Sequence, residues 1–138
     1  MANPKTRGFR DQLRNYVRDA KLQHVRWVKR VAAAAHRAAY KHTPIDTSRA
    51  MSGWVARLDA PFEGEPNYTA GSKGSTFAEA VQINESNIAE IAQAYVFGKS
   101  IYIRNNVHYI ETLEAGSSRQ APGGMMKFAL DAAEREMN

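Results

Sequence analysis

Residues 7–42 read RGFRDQLRNYVRDAKLQHVRWVKRVAAAAHRAAYKH, and this stretch decides the fold. It contains no proline, and its only glycine is Gly8. It is rich in Ala, Arg, Leu and Val, all compatible with helix. Apolar positions recur at Leu13, Val17 and Ala20, then at Val28, Val31, Ala35 and Ala39, close to the helical period. The pattern predicts one long helix. The stripe thins between Lys21 and Gln23, which marks a bend or a change of partner. Arg7, Arg10, Arg14, Arg18 and Lys21 follow steps of three and four and share one basic face. The small side chains of residues 31–35 permit close approach by another element, from the same domain or from a neighbouring subunit.

Working outward, Thr43-Pro44 ends this helix, because the residue before a proline is pushed away from helical geometry. Asp46 to Arg49 reads as a turn or cap. Ser52 to Leu58 alternates, with Trp54, Ala56 and Leu58 on one face, and predicts a strand. Asp59 to Ser75 carries two prolines and three glycines and reads as a long loop. Beyond it, a helix is predicted over Ile88–Tyr95. The polar run Asn84–Asn87 is taken to break any earlier helix, and Asn87 with Glu90 resembles a helix start. Ser100 to Asn105 is a second alternating, β-branched and aromatic strand. His108 to Glu114 reads as a short helical turn, residues 117–124 as a polar loop and Met125–Met137 as a final helix. The class is α+β: a long N-terminal helix, a small antiparallel sheet and a C-terminal helix. Two strands alone make a marginal sheet, so a further pairing within residues 60–85 is open.

The chain has 138 residues, which suits one domain over 1–138, with residues 1–6 expected to be flexible. No apolar run approaches the length of a membrane span, and residues 1–5 lack the stretch of a secretory signal. A soluble protein made in a cytosol is expected. Cysteine is absent, which excludes disulfides, thiol catalysis and cysteine-bound zinc. Residues 1–50 hold twelve Lys and Arg against three Asp and Glu, a balance of +9, whereas the remainder balances at −4. Such a division suits a protein that meets a polyanion or an acidic neighbour, or that pairs head to tail with its own copies.

Catalytic patterns are missing. His24, His36, His42 and His108 lack the paired spacing with Glu of a zinc hydrolase. Residues 71–76, GSKGST, resemble a phosphate loop in composition only, and no serine sits in a nucleophile-elbow pattern. Glu111 and Glu114 are one helical step apart and read as solvated or paired with arginine. No enzyme activity and no cofactor or metal is expected. The basic helix keeps three readings: a solvated amphipathic face, a contact with acidic surfaces of neighbouring subunits, or a contact with DNA phosphates. The last would make the chain a basic DNA-binding protein.

Two segments carry a resemblance. The first, residues 43–54 (TPIDTSRAMSGW), is similar to the TPVDTGRARSNW signature of a tail-component family of tailed bacteriophages, named after a gene product of phage HK97. The second runs from Ser100 to Ile110 and on from Leu113 to Met125. It resembles that family's strand, its corner of two Asn with a Tyr three residues on, and its loop of the form GSSxQAPxG. Together they cover about a third of the chain, and the flanking helices fit as well. Ser48 stands where the family usually has Gly, and Gly53 where Asn is common.

The resemblance implies a structural virion protein. Its relatives are minor tail or tail-completion proteins, ring subunits with six-fold symmetry at the neck, where head joins tail. Implied partners are copies of itself, other neck and tail proteins and, without base specificity, genomic DNA; no membrane is implied. The residues expected to touch a neighbouring subunit or DNA are Arg7, Arg10, Arg14, Arg18, Arg119 and Gln120. Those matched as structural motif are Asp46, Thr47, Trp54, Asn105, Asn106, Tyr109 and Pro122. Trp54 is expected in the core near Ile101 or Ile103.

Overall fold

A computed structural model describes residues 4–43, 49–64, 77–107, 110–111, 115 and 124–138. Helix α1 spans Pro4–Lys41, a short α2 spans Arg49–Ser52, and strand β1 spans Trp54–Leu58. Helix α3 covers Phe77–Ala94, strand β2 Ile101–Asn105 and helix α4 Met125–Met137. The protein is α+β and mostly helical, with a long N-terminal helix, a two-stranded antiparallel sheet and a C-terminal helix.

At 38 residues, α1 is about 57 Å long. It starts three residues ahead of Arg7, with Pro4 at the first helical position, where a missing N–H costs nothing. Its two halves live differently. From Arg7 to His24 every side chain is exposed, whereas His36, Ala39 and Tyr40 are buried. The change falls where the apolar stripe thins. The half that packs does so mainly against α4, which runs antiparallel to it. Met125 at the start of α4 lies beside Thr43, the Phe128 ring stacks on His42 at 3.8 Å, and Glu136 pairs with Arg30 at 3.0 Å. Ala33 and Ala35 pack against the core, so at least these two of the small residues serve the domain itself.

The core joins Ala39 and Tyr40 of α1, Met51 of α2, Trp54 of β1, Ala80 and Ile88 of α3, and Met125 and Ala129 of α4. The strands pair from Trp54 opposite Asn105 to Leu58 opposite Ile101. Trp54 is 4% exposed, and Ile103 packs against the cluster that contains it.

Two expectations need correction. Strand β1 begins at Trp54, two residues late, because residues 49–52 close a helical turn that Gly53 N–H finishes on Ala50 O at 3.2 Å. Helix α3 is continuous through Asn84–Asn87 and starts eleven residues before Ile88. Both asparagines are satisfied without breaking it. Asn84 is fully buried and donates to Ala80 O, one turn back, at 2.8 Å and to Met51 O at 2.9 Å. Asn87 therefore lies inside the helix and is not its cap. The further pairing left open within residues 60–85 does not appear among the described residues, and 65–76 lie outside them. The outer edge of β1 is met by the Asn87 side chain, whose Oδ1 accepts from Ala56 N–H at 2.7 Å and whose Nδ2 donates to Ala56 O at 3.2 Å. One side-chain amide thus does for the edge what a neighbouring strand would.

Candidate functional site

The matched motif residues act as internal staples. Trp54 Nε1–H donates to Thr43 Oγ1 at 2.8 Å, and that hydroxyl donates in turn to Ala39 O at 2.7 Å. The end of α1 is thereby tied to the start of β1. Asn105 Nδ2 donates to Ala50 O at 2.7 Å, and its Oδ1 accepts from Val107 N–H at 3.0 Å. Asn106 Nδ2 donates to Phe62 O and Gly64 O at 2.8 and 3.1 Å, fastening the segment after β1. Gly53 sits beneath this corner. A Cβ there would lie 2.7 Å from the Val107 side chain and 2.8 Å from Asn105 Oδ1. Asp46, Thr47, Tyr109, Arg119, Gln120 and Pro122 lie outside the described residues, as do Ser48 and His108.

A polar cluster that the sequence did not announce links α1 to α3. His36 Nε2 and Asn84 Oδ1 are 2.9 Å apart. Because Asn84 Nδ2 spends its protons on Met51 and Ala80, its Oδ1 is the acceptor, and His36 must carry its proton on Nε2. His36 Nδ1 is left buried without a partner among the described residues. Burial pushes this imidazole below its ordinary value, so it is held neutral. Next to it, Glu85 accepts from Arg37 at 3.0 and 3.1 Å and from the Tyr40 hydroxyl at 2.6 Å. Those two donors, Arg37 first, hold its carboxyl below the usual carboxylate range, while burial and the Glu85 contact push the Tyr40 phenol up. Arg37, the Tyr40 hydroxyl, His36 Nε2 and Asn84 Nδ2 each face an acceptor within the chain, so the cluster ties α1 to α3.

A groove of about 490 Å³ lies between β1 and α3, lined by Trp54, Ala56, Phe62, Ile83, Asn87 and Glu90 among others. Ser86 and Glu90 line it, with no histidine to activate the hydroxyl. Arg57, also in its wall, lies over the Phe62 ring at 5.0 Å. Among the described residues no group of three His, Asp or Glu could hold a metal ion. None of the described helices is long and apolar enough to cross a membrane.

What remains outward is the free half of α1. Arg7, Arg10, Arg14 and Arg18 are all exposed, and Arg18 lies 3.8 Å from its neighbour Asp19. Arg14, Arg18 and Lys21 share one shallow groove with Leu13 and Val17, so the basic face and the apolar stripe lie side by side. Phe9, Leu13, Tyr16 and Val17 are exposed as well. At its base the arm is held by Phe97, under Lys21 Nζ at 5.3 Å and edge-on to His24. Sequence reading found the basic face and the point where the stripe thins; it did not say what Leu13 and Val17 would meet, and both are exposed.

Fold and site together define a small, mostly helical α+β domain carrying a projecting, amphipathic, basic helix. Searched against known families, characterised proteins and solved structures, the chain matches none.

Proposed function

We propose that this chain is a structural virion protein of a tailed bacteriophage, a ring-forming tail-completion or neck subunit that acts through assembly contacts. The observation that carries the reading is the division of labour within the molecule. Thr43, Trp54, Asn105 and Asn106, four residues of the phage-like signature, bond inward and hold one fold together. The outward-facing feature is a helical arm with an apolar stripe and a basic edge, suited to burial against another macromolecule. Neither groove nor polar cluster offers a nucleophile with its base, which favours assembly over catalysis.

The test is the composition and function of particles. Mass spectrometry of purified virions should find the protein, and labelled antibody should mark the neck. A phage in which Arg10, Arg14 and Arg18 are all changed to Glu should make heads and tails that fail to join. Particles that lack the protein altogether would sink the reading. The exposed arginines also support a second reading, contact with DNA phosphates without base recognition. In that case the isolated protein binds DNA with an affinity that falls steeply as salt rises, about one counterion released per arginine engaged.

A further inference from the structure

We propose that the seam between α1 and α3 is an acid-operated latch: a second proton on the His36 ring parts α3 from α1 and leaves the α1–α4 pair closed. The latch is a property of the folded domain, independent of any assembly. His36 is 1% exposed, and its Nε2–H is committed to Asn84 Oδ1 at 2.9 Å. A second proton has only Nδ1 to go to, and Nδ1 faces no acceptor among the described residues. Turning the ring over does not help. An imidazolium carries two donors, and Asn84 Oδ1 is the one acceptor shown for either nitrogen. A cavity of about 10 Å³ lies beside the ring, lined by Ala56, Ile88, Ile101 and Ile103 among others, and it is too small for a hydrated counter-ion.

The groups around the ring cannot hold the cation. From α1 come Lys29, which lines the same cavity, and Arg37, both cations themselves. From α3 comes the Glu85 carboxylate, which accepts from Arg37 at 3.0 and 3.1 Å and from the Tyr40 hydroxyl at 2.6 Å. Diverting Glu85 to His36 would strip Tyr40, itself 1% exposed, of its acceptor. The side chains that β1 and β2 bring to the cavity are apolar, and α2 brings the Met51 carbonyl, which Asn84 already binds. A protonated His36 therefore reaches water only when α3 moves off it. Helix α4 holds α1 elsewhere. Met125 meets Thr43, Phe128 stacks on His42 and Glu136 pairs with Arg30. None of these three contacts passes through His36, Asn84 or Glu85. His42 donates from Nδ1 to Ala38 O at 2.8 Å, and a proton added at its Nε2 leaves that bond intact. The opening is thus local, and it also releases Met51 O from Asn84.

The test is native-state amide hydrogen exchange of the full chain in low urea across pH 7.5 to 5.5, each rate corrected for the intrinsic effect of pH. Amides of residues 80–91 should exchange through an opening that urea barely changes, whereas those of 30–41 and 125–137 should exchange only by the urea-sensitive global route. The α3 opening should be flat above about pH 7 and grow about tenfold for each unit below the ordinary 6.5, the mark of one proton taken up on opening. His36→Gln keeps a donor for Asn84 and takes up no proton, so it should flatten that response. A merely structural role for His36 would leave the response unchanged. Should the variant fail to fold, the wild-type profile decides: growth that begins near 6.5 supports the latch, and growth that begins only in the carboxylate range overturns it. Exchange of 80–91 by the same urea-sensitive route as 125–137 overturns it as well, as does a pH response that persists in folded His36→Gln.

Discussion

Thr43 and Trp54 are eleven residues apart and meet through one buried bond, which makes their cost on removal predictable. Trp54→Ala should destabilise the fold by about 3–5 kcal/mol in urea denaturation, since it empties a core site and strips Thr43 of its donor. An unchanged midpoint would rule out its place in the core. Gly53→Asn installs the residue that the phage-like signature leads one to expect, yet Val107, at 2% exposure, has nowhere to retreat from a new Cβ. We expect that variant to lose about 1–3 kcal/mol, the range for overpacking. His36 provides a pH signature. Its imidazole is held below the ordinary 6.5, so near that pH the unfolded chain binds a proton that the folded chain refuses. The stability this contributes is complete above pH 6.5 and is lost as pH falls through the folded value. Denaturation at pH 7.5 and 5.5 should therefore show a loss in the wild type that is smaller in His36→Gln; equal losses would refute the assignment.

At the scale of elements, α1 shows how a helix can outrun its packing. An isolated segment of some twenty residues is marginal in water, but the packed half, from about Trp27 to Lys41, nucleates this one and the arm propagates from it. Deleting residues 1–20 should remove helical signal while the melting midpoint of a dilute sample moves by less than about 5 °C, the shift that roughly 1 kcal/mol makes in a chain of this size. Collapse of the remaining fold would show that the arm belongs to the core. The α3–sheet junction makes a sharper claim. Asn87→Ala leaves both backbone groups of Ala56 without their partner, so exchange of the Ala56 amide hydrogen should speed up markedly relative to other β1 amides. An unaltered exchange rate would mean that water serves that edge equally well.

The whole molecule is a compact end with a projecting rod. A compact chain of 138 residues has a radius of gyration of about 14 Å, and a monomer in dilute solution should scatter with a clearly larger value because the arm adds length without width. A value at 14 Å would mean that the arm folds back.

Periodicity and breakers alone determined the class, the long helix, both strands to within two residues and the limits of α4, since each depends on local spacing that every chain copy carries in its residues. Trp54 as core anchor was legible too, from strand alternation. Local pattern could not see who covers whom. Leu13 and Val17 repeat with the same period as Ala35 and Ala39, yet one pair is exposed and the other lies in or beside the core, because α4 is long enough to reach only from Thr43 back to Arg30. Likewise Asn84 and Asn87 read as helix breakers from their polarity, and only the tertiary structure supplied Met51, His36 and Ala56 as partners that make a polar side chain inside a helix cheaper than a break. Propensity is a matter of tenths of a kcal/mol per residue, whereas leaving a buried amide unsatisfied costs about 1–3, so the contact made across the fold prevails over the local preference.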